Sequence, residues 1–356
     1  MKRTALALLL CGCLILSGCA SLFDGHYVSV QPHEQKPANA GDGMILATDY
    51  EQLCDALTEL IEAGAEEGVI SVAKYRQERI EADVQQAVKE VCEEHPVAAY
   101  AVDEISFDLG TRGGAALAVT ITYSHDRSEI QKICQVEDIE EAVSAISGSL
   151  NRCDVGIVLQ IAEYEDTDFV QVVESYALKH PELVMELPQV AVSIYPESGE
   201  TRVVEVKFSY QTSRDSLKNM QNQVQPVFDS AALYVSGDAE EGEKYSQLCS
   251  FLMERYDYQY STSITPTYSL LRHGVGDSRA FATVYAAMCR HAELECLVVS
   301  GTYNGESRYW NIICDDGIYY HIDLLKDGFK KRKDKAMDGY VWDYSAYPAC
   351  GVKPEN

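Results

Sequence analysis

The sequence predicts an α+β fold in which two repeated α-β-α-β-β modules precede a third, distinct α+β domain. Three observations predict it. A His-Pro motif and a strand-ending tyrosine each recur, His95 and His180 standing 85 residues apart and Tyr123 and Tyr210 standing 87 apart. Apolar residues switch between helical and strand periods within each copy. The last third opens a helix from a glycine turn and then runs through several strands.

The chain begins Met1-Lys2-Arg3, followed by 12 apolar or small residues from Ala5 to Leu16 and then Ser17-Gly18-Cys19. A cationic start, a short apolar core and a small-residue cleavage site describe a secretory leader over residues 1–18. The run is too short to span a bilayer core, which needs about 20 residues. Leu16-Ser17-Gly18-Cys19 resembles the lipobox of bacterial lipoproteins. That resemblance implies cleavage before Cys19, lipid on its sulfur, and a place on the extracytoplasmic face of the cell membrane. Residues 19–43, with Pro32, Pro37 and Gly41-Asp42-Gly43, show no period and read as a tether.

The net charge is −27 over 356 residues. So acidic a body repels phosphate backbones, which argues against nucleic-acid binding. Two of the 12 cysteines lie in the leader and Cys19 is the lipid site, leaving nine. An odd number cannot all pair internally. None forms Cys-x-x-Cys, so no metal site and no cofactor are expected.

The first module is assigned to residues 44–133 and the second to 134–222. Helices around 50–62 and 138–150 open them. Ile80, Val84, Val88 and Val91 share one helical face, as do Phe169, Val172, Val173 and Tyr176. Val204, Val206, Phe208 and Tyr210 alternate with polar residues, as a half-buried strand should. Proline disfavours helical backbone in the residue before it, so His95-Pro96 and His180-Pro181 end helices. Each histidine is read as a helix C-terminal residue favoured by the dipole rather than a metal ligand.

Residues 223–356 form the third domain, with helices over 214–235 and 240–255 leading into it. Gly276-Asp277-Ser278-Arg279-Ala280-Phe281-Ala282 opens a further helix, and Glu295–Gly301 reads as a strand. Arg308-Tyr309-Trp310-Asn311 and Tyr320-His321-Ile322-Asp323 mark the next two strands. In order and spacing these motifs, with the closing Trp342–Pro348, resemble a transglutaminase-like domain of papain-like cysteine protease type. Such domains carry Gly-x-Cys-x-x-Phe/Tyr-Ala, a strand ending in glycine, His-x-Trp-Asn, and Trp/Tyr-His-Val-Asp.

The resemblance implies a Cys-His-Asp triad, and it sets Ser278 at the thiol position, Arg308 at the histidine and Asp323 at the aspartate. Only the aspartate is retained. Serine needs a general base to act as a nucleophile, and arginine stays protonated in proteins. Arg308 is therefore expected to pair with Asp323 by charge-assisted hydrogen bonds. Asp277, Tyr309, Trp310, Asn311 and His321 fall beside these positions and are candidates for the cleft; His321 is also read as a structural residue of the family, and the aromatics as core. Cys289 lies about three turns down the helix and is expected to be buried. Lys330-Lys-Arg-Lys333 is read as a solvated hairpin tip, with an anionic glycan site as the alternative.

The leading expectation is a surface-anchored lipoprotein whose degenerate domain binds a peptide, glycan or protein. Two other readings stay open: a hydrolase or acyltransferase using Ser278, and a solute-binding lipoprotein.

Overall fold

The computed structural model describes residues 44–110 and 115–352. The leader over 1–18, Cys19 and the tether over 19–43 lie outside the described residues. The first strand, β1 (Ile45–Leu46), leads to α1 (Tyr50–Glu62), whose N-terminus is closed by Asp49 accepting the Gln52 amide. Next come β2 (Glu67–Ser71), α2 (Ile80–Glu94), α3 (Pro96–Ala101), β3 (Val102–Leu109) and β4 (Ala116–Tyr123). Ile80, Val84, Ala87 and Val91 of α2 are buried, close to the predicted face. His95 departs from expectation. Its Nδ1 accepts the Ala98 amide at 3.4 Å, so it caps α3 as well as ending α2. Pro96 takes the first helical position, where no amide hydrogen is needed.

A short helix, α4 (Arg127–Ile130), links to β5 (Cys134–Val136), α5 (Ile139–Asn151), β6 (Gly156–Ile161), α6 (Phe169–Lys179), β7 (Gln189–Tyr195) and β8 (Arg202–Ser209). Asp138 caps α5 as Asp49 caps α1. The two sheets run β1-β2-β4-β3 and β5-β6-β8-β7. In each, the first pair is parallel and the other pairs antiparallel. The edge strands β1 and β5 are additions to the predicted pattern. Two or three residues carry too little periodicity to be read.

The half-buried expectation for β8 needs correction. Val204, Val206 and Phe208 are buried as predicted, but Val203 and Glu205 on the opposite face are buried too. Val203 joins the core of the first sheet, and Tyr100 of α3 stacks edge-on to Tyr195 of β7 at 5.8 Å. Packing between segments thus covers a face that alternation marks as wet.

Beyond β8, α7 (Arg214–Tyr234) runs unbroken across position 222 and packs in the C-terminal core. It is followed by α8 (Glu241–Met253), β9 (Asp257–Tyr258), α9 (Pro266–Tyr268), a π-helical turn over Ser269–His273 and β10 (Val275–Gly276). Then come α10 (Ser278–His291), β11 (Cys296–Tyr303), β12 (Glu306–Asp315), β13 (Ile318–Ile322), α11 (Leu324–Asp327) and β14 (Tyr340–Trp342). The sheet order is β13-β12-β11-β14, all antiparallel.

α10 is the central element. Every residue from Ala280 to Cys289 is buried, because α7 and α8 cover it on one side and β11 and β12 on the other. A helix apolar all round belongs in a core. At Gly301, a Cβ would strike the Val341 carbonyl oxygen and come within 2.8 Å of the Trp310 ring. Only glycine lets β14 and Trp310 approach so closely. The segment after α6 is tied to α10 by Arg290, whose Nη2 lies 2.7 Å from Oε1 of the buried Glu182. No described helix is long and apolar enough to cross a membrane.

Candidate functional site

Asp277 precedes α10 in extended backbone, and its carboxylate accepts the Ala280 amide at 2.9 Å. The chain therefore enters α10 with Ser278 as its first residue, at the positive end of the helix dipole. Ser278 is 9% exposed, and its Oγ accepts the Tyr309 amide at 3.2 Å. That bond joins the helix start to the strand holding Arg308. The extended backbone of β12 points alternate side chains to opposite faces, so Arg308 lies on the face opposite Tyr309.

Arg308 is clamped to Asp323. Nε meets Oδ2 at 2.9 Å and Nη2 meets Oδ1 at 2.7 Å. Asp323 also accepts the Tyr340 hydroxyl at 2.7 Å and the Leu325 and Lys326 amides at 3.1 and 3.2 Å. Five donors thus converge on one carboxylate, which is 2% exposed. Burial works against the charge on Arg308, but the hydrogen bonds and charge of Asp323 outweigh it and raise the guanidinium pKa. Burial, with Asp323, raises the Tyr340 hydroxyl. Neither group can take a proton from Ser278 near neutrality.

His321 is turned away from the serine. Its Nδ1 accepts Trp310 Nε1–H at 3.0 Å, and its Nε2 lies 2.9 Å from Asp334 Oδ1. The indole can only donate, so this network assigns the proton to Nε2. Burial lowers the His321 pKa, against the opposing pull of Asp334. Asp334 in turn accepts the Cys350 amide through Oδ2 at 3.0 Å. The chain from Trp310 to Cys350 thus ties the C-terminal segment to the sheet.

The cleft expectations are corrected accordingly. Trp310 is 1% exposed, while Asn311 and His321 are fully buried. All three are core residues. Trp310 packs edge-on to Trp342 and Tyr340. The Asn311 amide nitrogen donates to the Ala282 and Leu297 carbonyls, strapping α10 to β11. Asp277 is a cap, and Tyr309 remains half-buried beside the serine. Cys289 is fully buried, and burial pushes its thiol well up, so it offers no substitute nucleophile. The nine cysteines from Cys54 to Cys350 are all unpaired.

The basic run is not a free hairpin tip. Lys331 pairs with Asp315 and Arg332 with Asp327, and Arg332 bridges its backbone to His321 beside β13. Half of its charge is thus matched by acidic neighbours, while Lys330 and Lys333 stay exposed.

His321, Asp334 and Cys350 bring three potential ligand atoms within 4.8 Å of one another. The donor set fits a cation poorly. A metal on Nε2 would leave His321 with lone pairs on both nitrogens while Trp310 still donates to Nδ1, which requires an imidazolate. Burial and Asp334 also push the Cys350 thiol up to about 12. Tyr340 and Asp334, which complete these two networks, carry no local motif that sequence reasoning can find.

Residues 229–348 match the transglutaminase-like superfamily. No curated protein matches the chain by sequence. Among solved structures, similarity extends to a TGase at TM-score 0.28 and 9% identity, covering 56% of this chain and 61% of that one. A protein from Cytophaga hutchinsonii, named provisionally as a cysteine protease, aligns at TM-score 0.27 and 12% identity over 43% of this chain and 65% of its own. One from Parabacteroides distasonis, named provisionally as a protease, aligns at TM-score 0.24 and 10% identity over 47% and 39%. The chain spans less than two thirds of each of these proteins. Such partial likenesses carry no weight beside the motif order and the family match: residues 229–348 are a transglutaminase-like domain.

Proposed function

We propose that this protein is a lipid-anchored, extracytoplasmic lipoprotein whose transglutaminase-like domain binds a peptide, glycan or protein partner without catalysing a reaction on it. The observation that carries this is the Arg308–Asp323 pair. The position that a base would need is filled by a permanent cation whose two inner nitrogens are already spent on the aspartate. The Ser278 oxygen takes a backbone amide, and no imidazole hydrogen-bonds to it among the described residues. A neutral serine hydroxyl without a base is a poor nucleophile. The leader, the Leu16–Cys19 motif and the tether support anchoring and export.

A fluorophosphonate probe, which phosphonylates activated serines with loss of fluoride, tests the catalytic half. The full-length protein should remain unlabelled under conditions that label an active serine hydrolase. Labelling that disappears in Ser278→Ala would show a working nucleophile and overturn the proposal.

A further inference from the structure

A second cleft lies where the segment after α6 meets the first turn of α10. It encloses about 160 Å³ and is lined by neither Ser278, Arg308 nor Asp323. Two opposite charges line it, Arg279 and Glu186. They do not pair with each other. Arg279 is half-buried, and among the described residues its guanidinium has no hydrogen bond or ion pair, only the Tyr309 ring 5.9 Å away. Glu186 is 3% exposed, and its oxygens accept the Gln211 and Thr212 amides at 2.5 and 3.0 Å, with no ion-pair partner among the described residues. Each carboxylate oxygen keeps a second lone pair for a further donor. A buried charge with no counter-charge is costly, as for Glu186, while the half-buried Arg279 keeps its guanidinium free for a ligand.

We infer that this cleft binds a free α-amino acid with a short apolar side chain, its carboxylate on Arg279 and its ammonium on Glu186. A zwitterion matches both charges at once, whereas a simple acid or amine leaves one of them unmatched. Guanidinium and carboxylate form the stronger, two-pronged contact. The rest of the wall is mixed: Leu178, Val184, Leu187 and Ile264 offer room for an aliphatic side chain beside the polar Gln211 and Ser263. The size agrees, since a cavity of about 150 Å³ takes up a molecule as large as benzene. The inference stands apart from the reading of Ser278 and survives whether or not that serine is inert.

Calorimetric titration of the full-length protein with L-leucine tests it, alongside N-acetyl-L-leucine and L-leucine methyl ester, which each remove one charge. L-leucine should bind with a dissociation constant of roughly 1 mM or tighter. Each blocked analogue should bind at least about tenfold more weakly. Arg279→Met keeps the apolar stem and removes only the distant Tyr309 ring contact, so it should fold normally and lose about tenfold in affinity. The inference is overturned if L-leucine, L-valine and L-methionine all give no binding up to about 10 mM. It is equally overturned if the blocked analogues, or the Arg279→Met protein, bind as tightly as the free amino acid and the unaltered chain do.

Discussion

Arg308 and Asp323 face each other across adjacent strand ends as a two-pronged ion pair, at 2.9 and 2.7 Å. The two partners are not equivalent. Asp323 has Tyr340 and two backbone amides as further donors, so it stays hydrogen-bonded when the arginine is removed. Arg308, with 15% side-chain exposure, has no other side-chain acceptor among the described residues. Breaking a buried pair by removing one partner typically costs about 3–5 kcal/mol. Asp323→Ala should fall in that range and Arg308→Met clearly below it. Urea melts of both variants check the order, and equal losses would contradict it.

His321 makes stability depend on pH. Burial holds its folded pKa below the ordinary value near 6.5. The unfolded chain therefore binds a proton that the folded chain refuses, and stability falls as pH drops below about 6.5. Above that value the contribution is fully present. Between about pH 7.5 and 5.5 the melting temperature should drop further in the unaltered protein than in His321→Gln. Parallel curves would show that the buried imidazole does not titrate in this window.

Helices α2 and α6 were legible in the sequence from their apolar faces, and α10 from the glycine turn that opens it. Three kinds of feature were not. β1 and β5 are too short to carry a period. The burial of Val203 and Glu205 depends on α3, a helix that His95-Pro96 disguised as an end rather than a start. At the site, motif spacing brought Ser278, Arg308 and Asp323 into view. The same spacing placed Trp310, Asn311 and His321 in a cleft, but both faces of β12 are covered, Asn311 by α10 and Trp310 by Tyr340 and Trp342, so all three are buried. Tyr340 and Asp334 complete the networks from distant positions, and nothing local marks them.

Gly301 is a sharp test of the sheet's packing. Any side chain there meets the Val341 carbonyl and the Trp310 indole, neither of which is the free end of a flexible group. Overpacking of this kind costs about 1–3 kcal/mol. Gly301→Ala should lower the urea midpoint accordingly and leave the far sheets unaffected. An unchanged midpoint would mean that β14 sits farther from β11 than described.

Cys19 decides the anchoring. Two or more acyl chains hold a protein on a membrane, while one binds only marginally. Cells fed labelled palmitate should incorporate it into the full-length protein and not into Cys19→Ala. Label retained by the variant would place the lipid elsewhere, and label absent from both would remove the lipoprotein assignment.

Restoring the lost pair bears most directly on the site. Ser278→Cys puts a thiol at the start of α10, where the helix dipole favours the thiolate. Arg308→His supplies an imidazole on β12, with Asp323 available to hold its N–H. In the double variant the rate of iodoacetamide alkylation should report a thiol pKa below the ordinary ~8.5, and lower than in Ser278→Cys alone. Loss of the Arg308 pair weakens the fold, so melting curves must first show both proteins folded at the assay temperature. If folded proteins give identical pH–rate profiles, the imidazole at 308 does not reach residue 278, and the triad correspondence that underlies the proposed loss of catalysis fails.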